Sequence, residues 1–158
     1  MTIQTAATIN VDAPIAHVFS IAAGYDPRDL IQPFGPLPGI NDVKGHDAPW
    51  SAIGQQRHFT LSDKSSVSET MTAISQPQSY SYDISNFTGL FASLVCGARG
   101  QWDFTETGPG RTRIDWTYQF SPTGVIAEPV LWFIVKLFWP GYLKSALQRV
   151  KEKAEDTQ

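Results

Sequence analysis

Ile9-Asn-Val-Asp-Ala-Pro-Ile-Ala-His-Val-Phe-Ser-Ile-Ala-Ala23 decides the fold: it reads as a strand, a stop and a helix in quick succession. Ala7, Ile9 and Val11 alternate with Thr8, Asn10 and Asp12, the period-2 pattern of a half-buried edge strand. Asp12 is expected to cap the helix that follows, and Pro14 suits its first turn, where a missing N–H leaves nothing unpaired. Ile15, Val18, Phe19 and Ala22 then share one helical face.

Outward from this stretch the pattern changes to strands. Asp26 before Pro27 starts a short second helix ending near Gln32, and Pro33, Gly35, Pro36, Pro38 and Gly39 forbid regular structure after it. Such a loop either gates a pocket or is a plain surface crossover. Strands are expected at 40–45, 53–61, 67–75, 79–87, 94–107 and 111–120, with Gly108-Pro-Gly110 as a hairpin turn. Together with the opening strand they make an antiparallel meander of about seven strands with one wet and one apolar face.

Ser121-Pro-Thr-Gly124 ends the sheet, and a long apolar helix follows. Pro140-Gly141 is expected to kink or interrupt it, because proline removes the bond back to residue 136. Beyond it, Leu143, Leu147, Val150 and Ala154 repeat as an amphipathic seam. The apolar run before the proline is too short for a membrane span of about 20 residues. One apolar sheet face must be covered, and this helix is the element able to cover it. The expected fold is α+β: a curved sheet gripping a C-terminal helix, with two short helices after the first strand.

Composition excludes several classes. The 158 residues fit one domain with a real core, and 17% charged residues with 42% hydrophobic ones belong to a globular chain. A net charge of -3 without a basic stripe argues against nucleic-acid binding. The first residues carry neither a basic flank nor an apolar run, so no signal peptide is expected. One cysteine, Cys96, cannot form an internal disulfide; a reduced, cytoplasmic protein is the expectation. Neither His17, His46 and His58 nor Cys96 has metal-ligand spacing, and no nucleophile elbow, phosphate loop or dinucleotide fingerprint occurs, so no metal or cofactor is expected.

Several dispersed motifs share one order. They are Ile9-x-Val-Asp-Ala-Pro with Val18-Phe19, Gly54-x-x-Arg57, Glu69, Tyr80-x-Tyr82-x-Ile84, Gly100-x-Trp102-x-Phe104, Gly110-x-Thr112-x-Ile114-x-Trp116, and Leu143-x-x-x-Leu147-x-x-Val150-Lys151. In this the chain resembles the START-like (SRPBCC) superfamily, which includes polyketide cyclase/dehydrase-type and lipid-transport proteins. The resemblance covers the whole chain. It implies a helix-grip fold with an apolar cavity between sheet and terminal helix, but no single activity.

The candidate wall of that cavity follows from strand parity. Arg57 lies beside Phe59, and Glu69 beside Met71, on the apolar faces of their strands. Two opposite charges there must pair with each other, with water or with a ligand. They are either a polar handle for a ligand or a salt bridge at the sheet's rim. Tyr80, Tyr82 and Ile84, Trp102 and Phe104, and Trp116 and Tyr118 form the aromatic set, which either lines a cavity or fills the core. Trp132 and Leu143 complete the set from the helix. Trp132, Phe133, Phe138 and Trp139 are too many aromatics for one helix face; either the loop after the first helices covers them or they mark a homodimer or membrane-surface contact. The expected function is binding of a small hydrophobic molecule, as carrier or sensor. The alternatives are a polyketide cyclase/dehydratase-type enzyme using Glu69 or a tyrosine, and a membrane-surface or partner-binding module.

Overall fold

Alternating side chains carry seven strands: β1 (Ile3–Val11), β2 (Ile40–Lys44), β3 (Gln56–Leu61), β4 (Ser66–Ser75), β5 (Ser79–Ser85), β6 (Val95–Gly108) and β7 (Arg111–Pro122). The structure is a computed structural model that describes residues 1–46 and 49–158. The strands form one antiparallel sheet in the order β1-β7-β6-β5-β4-β3-β2. β1 is an edge strand, as its alternation predicts, and pairs with β7 from Ile3 opposite Phe120 to Val11 opposite Thr112. Irregularities in β4 between Met71 and Ala73, and at both ends of β6, add bend and twist. The sheet is curved, and three helices complete a helix-grip fold: α1 (Ile15–Gly24), α2 (Pro27–Leu30) and α3 (Ala127–Asp156).

The opening stretch folds with one correction. Pro14, not Asp12, holds the N-cap position of α1, and no side chain caps that helix. Asp12 sits too far upstream to reach the first turn. Its N–H donates to Glu155 Oε1 at 2.9 Å instead, tying β1 to the end of α3. α2 starts as read: Asp26 accepts from Arg28 N–H at 2.9 Å and from the Arg28 guanidinium at 2.7 Å.

α3 is one continuous helix through Pro140, so the interruption expected there does not occur. Proline removes a hydrogen bond, but Val135 and Leu143, both buried on either side of it, hold the flanking turns in register. Gly141 next to it has a packing reason: a Cβ there would collide with the ring of Phe34, which reaches over from the loop after α2. The unbroken helix is long and apolar enough to cross a membrane, which corrects the reading that its apolar run is too short. In this fold it is the core helix: Leu131, Val135, Leu143, Leu147, Val150 and Ala154 are fully buried.

α3 packs chiefly along β1, with lesser contacts to α1 and β7. The helix therefore covers one flank of the sheet and leaves the concave face of β3, β4 and β5 to shorter elements. That asymmetry creates the site described below.

Two outcomes test this arrangement. Leu147→Ala should cost about 2–5 kcal/mol in thermal or denaturant unfolding, whereas exposed Leu137→Ala should stay within about 0.5 kcal/mol. The hydrogen bonds from Arg28 hold the Asp26 carboxyl down at about 2. Its stabilising contribution is present above about pH 4 and is lost as pH falls toward about 2. Asp26→Asn should flatten that part of the acid-unfolding curve.

Candidate functional site

A cavity of about 670 Å³ lies between the concave sheet face and α3. Its floor is the inward parity of five strands: Arg57 and Phe59 from β3, Glu69 from β4, Tyr80, Tyr82 and Ile84 from β5, Trp102 from β6, and Trp116 and Tyr118 from β7. Leu143, Trp139 and Tyr142 close it from α3, Leu30 from α2, and Leu90 and Phe91 from a 3-10 turn at Leu90–Ser93. The walls are mostly apolar, with a few polar tips.

Arg57 and Glu69 are cross-strand neighbours, and Arg57 Nη2 donates to Glu69 Oε2 at 2.8 Å. They are 8% and 7% exposed, so this is a buried pair in the cavity wall rather than one at an open rim. The guanidinium also lies 3.8 Å from the ring centroid of Trp50 and 5.4 Å from that of Phe59, and Nη1 sits 3.5 Å from His46 Nδ1. Burial pushes the Glu69 carboxyl up, and the neighbouring Arg57 charge and hydrogen bond oppose it. Trp50 stacks in turn on Tyr82, with centroids 6.4 Å apart.

The tyrosines form a directed network. Trp116 Nε1 donates to the Tyr82 hydroxyl at 3.1 Å, and the Tyr82 hydroxyl donates to that of Tyr118 at 3.3 Å. Gly100, opposite Tyr82 on β6, makes room for it: a Cβ there would overlap the Tyr82 ring. Burial pushes Tyr80, Tyr82, Tyr118 and Tyr142 above the ordinary phenol value, so they stay protonated at neutral pH. The site can bury an apolar body against aromatic faces and offer hydroxyl donors to its polar atoms.

Three residues expected in the wall lie elsewhere. Met71 points inward but is sealed in the core at the β4 irregularity. Phe104 shares the parity of Trp102 but lies under α1, with its ring 5.1 Å from that of Phe19. Trp132 is 54% exposed, because it is on the face of α3 turned away from the sheet. The helix aromatics differ in their surroundings: Phe138 meets the loop at Gly35, Trp139 packs on Phe120 of the sheet at 4.7 Å, and Phe133 is 58% exposed where it borders the cavity. Sequence reasoning missed Trp50, Phe91 and Tyr142. Trp50 and Phe91 sit in irregular segments, where no periodicity marks an inward side.

Comparison with known proteins decides the family. The description "Polyketide cyclase / dehydrase and lipid transport" matches residues 2–155. The chain belongs to that family, within the START-like superfamily. No curated protein matches the sequence. Among solved structures, it is similar to norcoclaurine synthase from Thalictrum flavum in complex with dopamine and hydroxybenzaldehyde, at 11% identity over 100% of this chain and 89% of that one, with a TM-score of 0.68. It is also similar to major latex-like protein 151 from Panax ginseng (14% identity, 98% of both chains, TM-score 0.67) and to protein Ms6760 from Mycobacterium smegmatis (20%, 99% and 93%, TM-score 0.62). At these identities the likeness shows the shared fold. Family and fold together support hydrophobic-ligand binding in general.

Two measurements probe the site's polar groups. Glu69→Gln or Arg57→Met alone should destabilise by about 3–5 kcal/mol, and the double replacement by methionines should recover most of the loss. In an alkaline titration followed by phenolate absorbance, the three buried tyrosines, Tyr80, Tyr82 and Tyr118, should ionise only with unfolding. Their raised values place this stability below about pH 10, and it is lost as pH rises further.

Proposed function

We propose that the protein binds a small hydrophobic molecule, lipid-, polyketide- or aromatic-like, as a carrier or sensor. The observation that carries this reading is the aromatic-walled cavity of about 670 Å³ between sheet and helix. Pockets for small molecules span about 300–1,000 Å³ and combine apolar walls with a few placed polar groups. Burial of the ligand's apolar body supplies affinity, and the Arg57–Glu69 pair with the tyrosines supplies orientation. A cytoplasmic, reducing setting belongs to the same reading, in which exposed Cys96 stays a free thiol.

One observation favours an enzyme as a second reading. Glu69 is a carboxyl inside the cavity with its proton affinity raised by burial, which is what a general acid–base of a cyclase or dehydratase requires. A poly-β-ketone surrogate would then lose water with the wild-type protein and not with Glu69→Gln. A third reading uses the exposed face of α3. Val130, Trp132, Phe133 and Leu137 are all exposed, as a homodimer or membrane-surface contact would need. Co-sedimentation with vesicles, or dimerisation abolished by Trp132→Ser, would support it.

The carrier or sensor reading is tested by native mass spectrometry of protein taken from its own host. A surplus mass that disappears on denaturation is expected. Ile84→Trp, which fills part of the wall, should weaken Nile red binding by about tenfold or more without loss of thermal stability. A clean unliganded mass together with unchanged dye binding in that variant would overturn the reading.

A further inference from the structure

The polar groups of the cavity are unequal in kind. Trp116 Nε1 is an indole donor and cannot accept, so it fixes the direction of the network that follows. Tyr82 must accept from Trp116 and pass its own hydrogen to the Tyr118 oxygen. The Tyr118 hydrogen is left to point onward. The Tyr118 hydroxyl donates to no described residue, and Glu69 and Tyr142 are the other oxygen-bearing groups that act on it through charge. Tyr80, buried and in the same wall, has no hydrogen-bond partner among the described residues. Three N–H groups of wall residues, Trp50 Nε1, Arg57 Nε and Trp139 Nε1, also lack an acceptor among the described residues, but they are sealed from the cavity space. The Tyr80 and Tyr118 hydroxyls are thus wall donors without a described acceptor, beside Glu69 Oε1, a wall acceptor without a described donor.

We infer that the cavity selects molecules carrying a neutral acceptor oxygen of the carbonyl class, held by the Tyr118 hydroxyl at the end of the Trp116–Tyr82–Tyr118 chain. This rests on the ligand-binding reading above and adds the polarity of the ligand to it. A carboxylate is disfavoured because Glu69 already neutralises Arg57 at 2.8 Å and would repel a second buried anion. A plain hydrocarbon leaves the Tyr118 hydrogen unpaired in an apolar space, which is the more unfavourable outcome. Each bond in the chain polarises the next, so the terminal hydroxyl is a better donor than an isolated phenol. Tyr118 is a specificity-determining residue in this scheme, and Trp116 is a positioning residue.

Three probes on one ring skeleton test it: fluorene, 9-fluorenone and fluorene-9-carboxylate, each displacing Nile red from the protein. Fluorenone should bind about tenfold tighter than fluorene and tighter than the carboxylate. Tyr118→Phe should abolish the ketone preference while fluorene affinity stays within about twofold. Trp116→Phe should reduce the preference with Tyr118 intact, because Tyr82 then keeps only Trp102 as an indole donor and can accept from Tyr118; a merely structural defect would weaken all three probes alike. Equal affinity for ketone and hydrocarbon, the carboxylate binding tightest, or a preference that survives Tyr118→Phe would overturn the inference and leave ligand binding standing. If no probe displaces the dye and native protein carries no ligand, the binding reading itself fails and takes this inference with it.

Discussion

The seam between the C-terminal half of α3 and the first strand is the contact on which the rest depends. Leu143, Ala146, Leu147, Val150 and Ala154 are essentially inaccessible there, and each large aliphatic chain among them contributes about 1.5–3 kcal/mol of burial. Polar ties fix the seam's register. Lys151 Nζ donates to the Asn10 carbonyl at 2.7 Å, His17 Nε2 lies 3.0 Å from the Ala154 carbonyl, and Gln158 donates to the Asp12 carbonyl at 2.7 Å. The stretch that marks the fold in the sequence thus serves as a clamp on the opposite end of the chain. It takes no part in the cavity wall beyond Ala22.

Clamping the helix to an edge strand has a consequence for the middle of the sheet. The inward side chains of β3, β4 and β5 face a helix that is anchored elsewhere, and loops must reach across to meet them. Phe34 over Gly141, the Tyr142 hydroxyl donating to the Pro38 carbonyl, and Arg149 donating to the Leu30 carbonyl at 2.9 Å are those reaching contacts. Two sets of polar groups in the space beneath are paired: Arg57 with its cross-strand neighbour Glu69, and Tyr82 between Trp116 and Tyr118.

How much of this was legible in the chain depends on periodicity. Strand parity placed Arg57, Glu69, Tyr80, Tyr82, Trp102, Trp116 and Tyr118 on the concave face, because a two-residue repeat leaves each side chain only two directions. Parity cannot tell the depth at which a side chain sits, so Met71 and Phe104 share the right face yet are sealed under other residues. On a helix the ambiguity is larger. Trp132 and Trp139 lie in one apolar run, and only the anchoring of the helix decides that one is exposed while the other packs on Phe120. Trp50 had no periodic context at all, and its role under the Arg57 guanidinium emerges only from the fold.

The two halves of α3 answer different demands. The C-terminal half is packed on all the sides it needs and carries the stability of the grip. The N-terminal half keeps only Leu131 and Val135 fully buried and turns Val130, Trp132, Phe133 and Leu137 outward. A wall that forfeits side-chain contacts across some 670 Å³ is weakly held, because dispersion contacts vanish over a gap of an ångström or so. Phe133 on α3 and the 92%-exposed Leu90 on the 3-10 turn both border the cavity. Both lie outside the clamped seam, so the grip that defines the fold does not depend on how that border of the cavity is filled.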